Sequence, residues 1–289
     1  MSDSELIYHY TAASGLQGIV ESGVLWMTDV RHLNDSAELA YGARIMRELV
    51  DAKIADVLGE VDPAADGGAA RSRVSLLTNI QSYFDRIESG DDYEYSTYAA
   101  SFCTDGNLLS QWRGYGGGVL GYSLGFDRTL LSKAVIDAGQ ESADIGKSLE
   151  LSAVNYNSGS VNSALKAAVD ELAPHPSGHP GVHAWDQFGR IALPVLAKIK
   201  SAGFEEEREW RLLLTRDGYR DGVKFRPGRT GLVPYVEAKW PVKALRRVTV
   251  GPGPDLQLRA AAVRQLLHSS LGNQMHQVEV STSDIPFRV

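Results

Sequence analysis

Two glutamates stand two positions apart in the run Phe204-Glu205-Glu206-Glu207-Arg208-Glu209-Trp210-Arg211. In an extended strand residues i and i+2 share a side, so Glu207 and Glu209 are expected to present both carboxylates on one face. Like charges so placed repel unless a partner or a task holds them. The plain alternative is an edge strand whose charges discourage aggregation. A second group, Tyr8-His9-Tyr10-Thr11, lies near the amino end. An imidazole near a strand end can bond a ribose hydroxyl, and the hydroxyl beside it an amide. Packing of His9 under the first helix is the alternative.

A third group, Ser110-Gln111-Trp112-Arg113-Gly114-Tyr115, runs into Gly116-Gly117-Gly118. Trp112 and Tyr115 offer flat rings on which a pyridine or adenine stacks. Otherwise the glycines only permit a tight corner. The stretch Asp29 to Glu38 contributes Arg31, Asn34, Asp35 and Glu38. Asn34-Asp35-Ser36 reads as a helix start, which accounts for neither Arg31 nor Glu38 and leaves them as ligand-contact candidates. His175, His179 and His183 are four apart, but the prolines and glycine among them forbid a regular helix, and no metal is assigned. Cys103, the single cysteine, reads as a buried inert thiol.

The elements that position these groups follow from apolar spacing. Strands are expected at Leu6–Thr11, Val24–Thr28, Tyr98–Cys103, Val119–Phe126, Leu149–Tyr156, Arg208–Thr215, Leu232–Val236, Arg246–Val250 and Gln277–Val280. Helices are expected at Ala13–Ser22, stopped by Gly23, and from Ser36 to about Leu58. Further ones are expected at Ser72–Ile87, Leu108–Tyr115, Ser160–Leu172, Val182–Lys200 with a kink at Pro194, and Asp255–His268. The long second helix turns Leu39, Ala43, Met46, Leu49 and Val50 to one side. No strand is followed by GxGxxG or by a P-loop, and no βαβ rhythm repeats, so the fold class is α+β.

Taken together, Tyr8-His9-Tyr10-Thr11, Leu33-Asn34-Asp35-x-x-Glu38, Ser110-x-Trp112-x-x-Tyr115 and Phe204-x-x-Glu207-x-Glu209-Trp210-Arg211 resemble the domain of unknown function 2971 family. The opening segment also resembles ADP-ribosyltransferases, including the DNA-modifying toxin type. That resemblance implies an ADP-ribosyltransferase-like core of two small, mostly antiparallel sheets. It implies one domain over residues 1–289, with helical insertions at about 36–90 and 127–200. By likeness, His9, Tyr10 and Thr11 hold the nicotinamide-ribose end of NAD, with Arg31, Asn34, Trp112 and Tyr115 as further contacts. Glu209 is the catalytic carboxylate and Glu207 its partner, so Glu209→Gln is expected to keep the fold and abolish nicotinamide release. The implied activity is NAD-dependent ADP-ribosyl transfer or NAD hydrolysis, with NAD as substrate, in a toxin or anti-phage setting. Two other classes stay open: a non-catalytic nucleotide sensor, and a metal-dependent nuclease using Asp29, Asp35, Glu38, Glu207 and Glu209.

Composition bounds these readings. The chain has 289 residues, 43% hydrophobic and 22% charged, which is enough for a full core and too apolar for a disordered chain. No apolar run is long enough for a membrane span, and no secretory signal is read, so the cytoplasm is the expected compartment. Net charge is −7, yet Arg208 to Arg247 holds eleven basic and four acidic residues, a local +7. Such a zone suits a nucleic-acid or protein acceptor, or an anionic ligand.

Overall fold

The structure is a computed structural model that describes residues 6–33, 36–59, 68–89, 95–116, 120–141, 148–172, 191–217, 222–228 and 231–286. Asn34, Asp35 and the three spaced histidines lie outside the described residues. The chain runs β1 (Leu6–Thr11), α1 (Ala13–Ser22), β2 (Val24–Asp29), α2 (Ser36–Gly59), α3 (Gly68–Ser89), β3 (Tyr95–Cys103), α4 (Leu109–Tyr115), β4 (Tyr122–Asp127), α5 (Arg128–Glu141), β5 (Ser148–Ala153) and α6 (Ser158–Leu172). After a helical stretch at 191–196 come β6 (Glu209–Asp217), β7 (Lys224–Gly228), β8 (Gly231–Lys239), β9 (Leu245–Val250), α7 (Leu256–Leu271) and β10 (Glu279–Thr282). Helices and a mixed, largely antiparallel sheet make the class α+β, as the sequence indicates.

The expected pair of small sheets is corrected. Ten strands form one hydrogen-bonded network in the order β10-β9-β4-β1-β3-β2-β8-β7, with β6 and β5 branching from β3. The fork arises because β3 is long. One edge pairs with β6 along its whole length, from Tyr95↔Asp217 to Cys103↔Glu209. The other edge is shared: β1 meets Cys103 through Tyr8, while β2 meets Ala99 and Tyr98 through Thr28 and Asp29. Two arms therefore diverge from one strand, and the ends of β1, β3 and β6 come together at Cys103.

Alternation along β3 and β6 sends side chains into two apolar layers. Ala99 and Leu213 join the layer built by α2, α3 and α6, where Leu39, Ala43, Met46 and Val50 repeat at helical spacing. Ala100, Phe102 and Leu212 join the opposite layer, with Leu16, Ile19 and Val20 of α1 and Ala260, Val263 and Leu267 of α7. Gly23 closes α1 in the left-handed region at φ 67°, donating its N–H to the Ile19 carbonyl at 3.1 Å. Two elements escaped the sequence reading. β7 carries Pro227 and exposed charges and is a strand only because it pairs with β8 at the sheet edge. The other is α5, not assigned as an element although it falls within the helical insertion expected at 127–200; it turns Leu131 into the core.

Candidate active site

At the end of β3 a small, partly open cleft of about 50 Å³ is lined by His9, Tyr10, Ser101, Phe102, Gln111, Tyr115, Glu207 and Glu209. Residues about two hundred positions apart thus share one cavity. Strand pairing explains it. His9 lies one residue from Tyr8, which faces Cys103, and Cys103 faces Glu209 across β6.

The His9 Nδ1 is 2.9 Å from the Ser101 carbonyl. A carbonyl only accepts, so Nδ1 carries the proton and Nε2 keeps its lone pair. Burial lowers the His9 pKa against the opposing pull of that carbonyl, so the ring is a neutral acceptor. Tyr10 is locked beside it. Its hydroxyl donates to the Asp105 carbonyl at 2.7 Å and accepts the Leu108 N–H at 2.9 Å. Burial pushes the Tyr10 phenol well above its usual range, so it stays protonated.

The carboxylates meet by a route other than strand alternation. Glu207 ends a 3-10 turn (Ala202–Glu207), and Arg208 adopts φ 41°, ψ 53° in the left-handed region before Glu209 begins β6. The expectation of two extended glutamates is therefore corrected: a strained non-glycine residue between them redirects the chain. Both side chains converge on Lys200, whose Nζ lies 2.9 Å from Glu207 Oε2 and 3.2 Å from Glu209 Oε2. Arg211 adds Nε to Glu209 Oε1 at 2.7 Å and Nη2 to Oε2 at 3.0 Å. Burial alone would raise the Glu209 pKa, but the Arg211 and Lys200 charges outweigh it and the net shift is downward.

Lys200, which the sequence reading missed, is fixed from behind. Its N–H donates to the Asn155 carbonyl at 3.1 Å, within a short parallel bridge between Asn155 and Ile199. Its ammonium stands 4.8 Å over the Phe204 ring. Nothing local marks a lysine after a helical stretch as buried; only the docking of 197–200 on β5 and β6 decides it.

Other candidates fall elsewhere. Trp112 is buried, edge-on to Tyr10 at 4.6 Å, with its indole N–H donated to Asn107 at 3.1 Å. It packs the wall behind the cleft, and Tyr115 is the ring of that pair at the cavity. Thr11 does not line the cleft; its hydroxyl sits beneath Gly15 of α1, where a Cβ would collide with it. Arg31 pairs with Asp29 at 2.7 Å and donates to Ser96 at 2.8 Å. Ser96 is five residues from Ser101 along β3, about 17 Å, so Arg31 and Asp29 serve the far end of the sheet.

Asp29 is thus set apart along β3 from Glu207 and Glu209 of the nuclease alternative, and among the described residues no group of three or more metal-type side chains forms. The basic zone divides as well. Its Lys224 and Arg226 lie on β7, in the arm that begins with β2, and its Arg246 and Arg247 on β9, in the arm that begins with β1. Arg208, Arg211, Lys224 and Arg247 each meet an acidic side chain. No described helix is long and apolar enough to cross a membrane.

Three depressed pKa values set the acid response. His9 falls from 6.5, Glu209 from 4.5, and Asp29 to about 2, where bonds from Arg31 outweigh burial. At each, the unfolded chain binds protons at a higher pH than the folded chain. Stability is therefore present above the unfolded values and is lost as pH falls through the folded ones. The thermal unfolding midpoint should decline below about pH 6.5 through His9, and more steeply below about pH 4.5 through the two acids. A midpoint that rises between pH 7 and pH 4 contradicts these assignments.

No curated protein and no solved structure matches the chain. Residues 111–212, which hold Gln111, Tyr115, Lys200, Glu207, Glu209 and Arg211, match the model of the family described as Protein of unknown function (DUF2971), the family that the chain's motifs resemble.

Proposed function

We propose that the cleft takes the nicotinamide-ribose end of NAD and cleaves the bond between ring and sugar. The observation that carries this reading is the meeting of His9, Tyr115 and the Glu207/Glu209 pair in one cavity. The nicotinamide ring of NAD is cationic, and the cavity is bordered by acidic side chains and by the aromatic ring of Tyr115. The neutral His9 Nε2 is an acceptor for a ribose hydroxyl.

In the reaction the bond from C1 to the ring nitrogen breaks, and its electron pair leaves with nicotinamide, which becomes neutral. Positive charge then spreads over C1 and the ring oxygen, as in glycoside cleavage. A carboxylate hydrogen-bonded to the ribose stabilises that charge in a partly dry site. An acceptor attacks C1 and loses a proton; with water the products are nicotinamide, ADP-ribose and a proton. Transfer to a nucleic-acid or protein group is the other form of the same step.

The experiment is direct. Purified protein is incubated with NAD and free nicotinamide is measured over time. Accumulation that scales with enzyme is expected. Tight NAD binding with no nicotinamide release identifies a nucleotide sensor instead, and neither binding nor release removes the proposal.

A further inference from the structure

We infer that Glu207, not Glu209, is the carboxylate that meets the ligand, and that Lys200 is the residue that positions it. This assignment rests on the NAD reading above. It starts from lone pairs. A carboxylate offers about four acceptor sites. Glu209 accepts two bonds from Arg211 and one from Lys200, with only 5% of its side chain exposed. Both of its oxygens are taken by buried cations, and a ribose hydroxyl would have to compete with those bonds.

Glu207 differs. It accepts a bond from Lys200 at 2.9 Å, its side chain is 13% exposed, and it borders the same cleft. At least one of its oxygens keeps acceptor capacity on the cavity side. Its position is set by two features. The left-handed Arg208 turns residue 207 back over the start of β6. Lys200 then ties the two carboxylates to one ammonium that cannot swing out, being 1% exposed and capped by Phe204. Glu209 and Arg211 hold the lysine, and the lysine aims Glu207. Arg211 is anchored in turn by its bond to the Ala197 carbonyl at 2.8 Å.

Such an order separates a group that touches substrate from groups that act through it. Glu207→Gln keeps an acceptor oxygen and the shape but removes the charge opposite the oxocarbenium. Lys200→Met removes the aim, and Lys200→Arg restores a donor and charge at the same place. The test measures kcat and KM for nicotinamide release from NAD in the wild type and these three variants, with an unfolding midpoint for each. Glu207→Gln is expected to lose about 10²–10³ in kcat, with a midpoint close to wild type because its side chain is the less enclosed of the pair. Lys200→Met is expected to lower kcat more than it raises KM, and Lys200→Arg to recover much of the loss. Wild-type kcat in Glu207→Gln overturns the inference. So does a Lys200→Met protein whose midpoint falls while kcat and KM stay put. A wild-type chain that releases no nicotinamide removes the proposed function itself, whereas an active wild type with an equally active Glu207→Gln removes only this assignment.

Discussion

Glu209→Gln is expected to lower the unfolding midpoint by roughly 6–20 °C, one of the largest single-residue effects in this protein. Glu209 is 5% exposed and stands between Lys200, 1% exposed, and Arg211, 5% exposed. Glutamine keeps one acceptor oxygen but turns an amide N–H₂ toward donors, leaving two buried cations with half their compensation. Removing one partner of a buried ion pair costs about 3–5 kcal/mol, because the remaining charge stays desolvated. Each kcal/mol shifts the midpoint of a chain of this size class by about 2–4 °C. The double variant with Lys200→Met should lose less than the sum of the two single losses, since contacting charges couple by about 0.5–3 kcal/mol. Thermal unfolding followed by circular dichroism decides the matter, and a midpoint within 2 °C of wild type would falsify the anchoring role. The motif alone implied that glutamine leaves the fold intact. The packed cluster reverses that expectation, and a lost activity in Glu209→Gln therefore says little about chemistry until folding is measured beside it.

Gly121→Ala should reduce nicotinamide release about 100-fold and destabilise the fold by about 1–3 kcal/mol. A Cβ at 121 would overlap the Gly116 backbone, which closes α4 by donating its N–H to the Trp112 carbonyl at 3.1 Å. The Gly121 carbonyl accepts the Gly251 N–H at 2.9 Å and an Arg259 N–H at 3.1 Å, so residue 121 cannot retreat. The methyl must then move α4, which carries Gln111 and Tyr115 into the cleft. Overpacking against backbone costs about 1–3 kcal/mol, and a displacement of about 1 Å at a reacting centre costs about 10²-fold. Gly114→Ala is the control on the same helix. Nothing lies within 4 Å of its added methyl, and alanine favours helix over glycine by about 1 kcal/mol. The control should match or exceed wild type in stability and keep its rate. Equal loss in both variants would mean that the helix tolerates no change, rather than that the Gly116–Gly121 contact positions it.

Of the site, the sequence carried the parts that depend on local order. His9 on β1 and the Glu207/Glu209 pair are legible because a short apolar run frames the histidine and the acidic spacing is unusual. Tyr115 was named together with Trp112, and only packing separates them. Burial takes Trp112 into the wall against Tyr10, while Tyr115, one helical turn on, reaches the cavity. Arg31 was misplaced because residues 29–33 were read as approach to a ligand. Its guanidinium instead satisfies Asp29, a buried acid that needs a partner. Lys200 left no local signal, since a lysine is buried only when partners from other strands meet it, and those partners lie in β6 and the turn before it.

The sequence by itself determined the α+β class, the β1–α1–β2 opening with its Gly23 stop, and the identities of an imidazole and two acids suited to sugar chemistry. These follow from periodicity and from side-chain type, which are properties of a few neighbouring residues. Only the packed fold joins the ten described strands into one forked sheet, splits the basic run between its two arms, and brings the glutamates onto a buried lysine. Those outcomes depend on which strands pair at Cys103 and on the desolvation of charges that no stretch of chain encloses by itself.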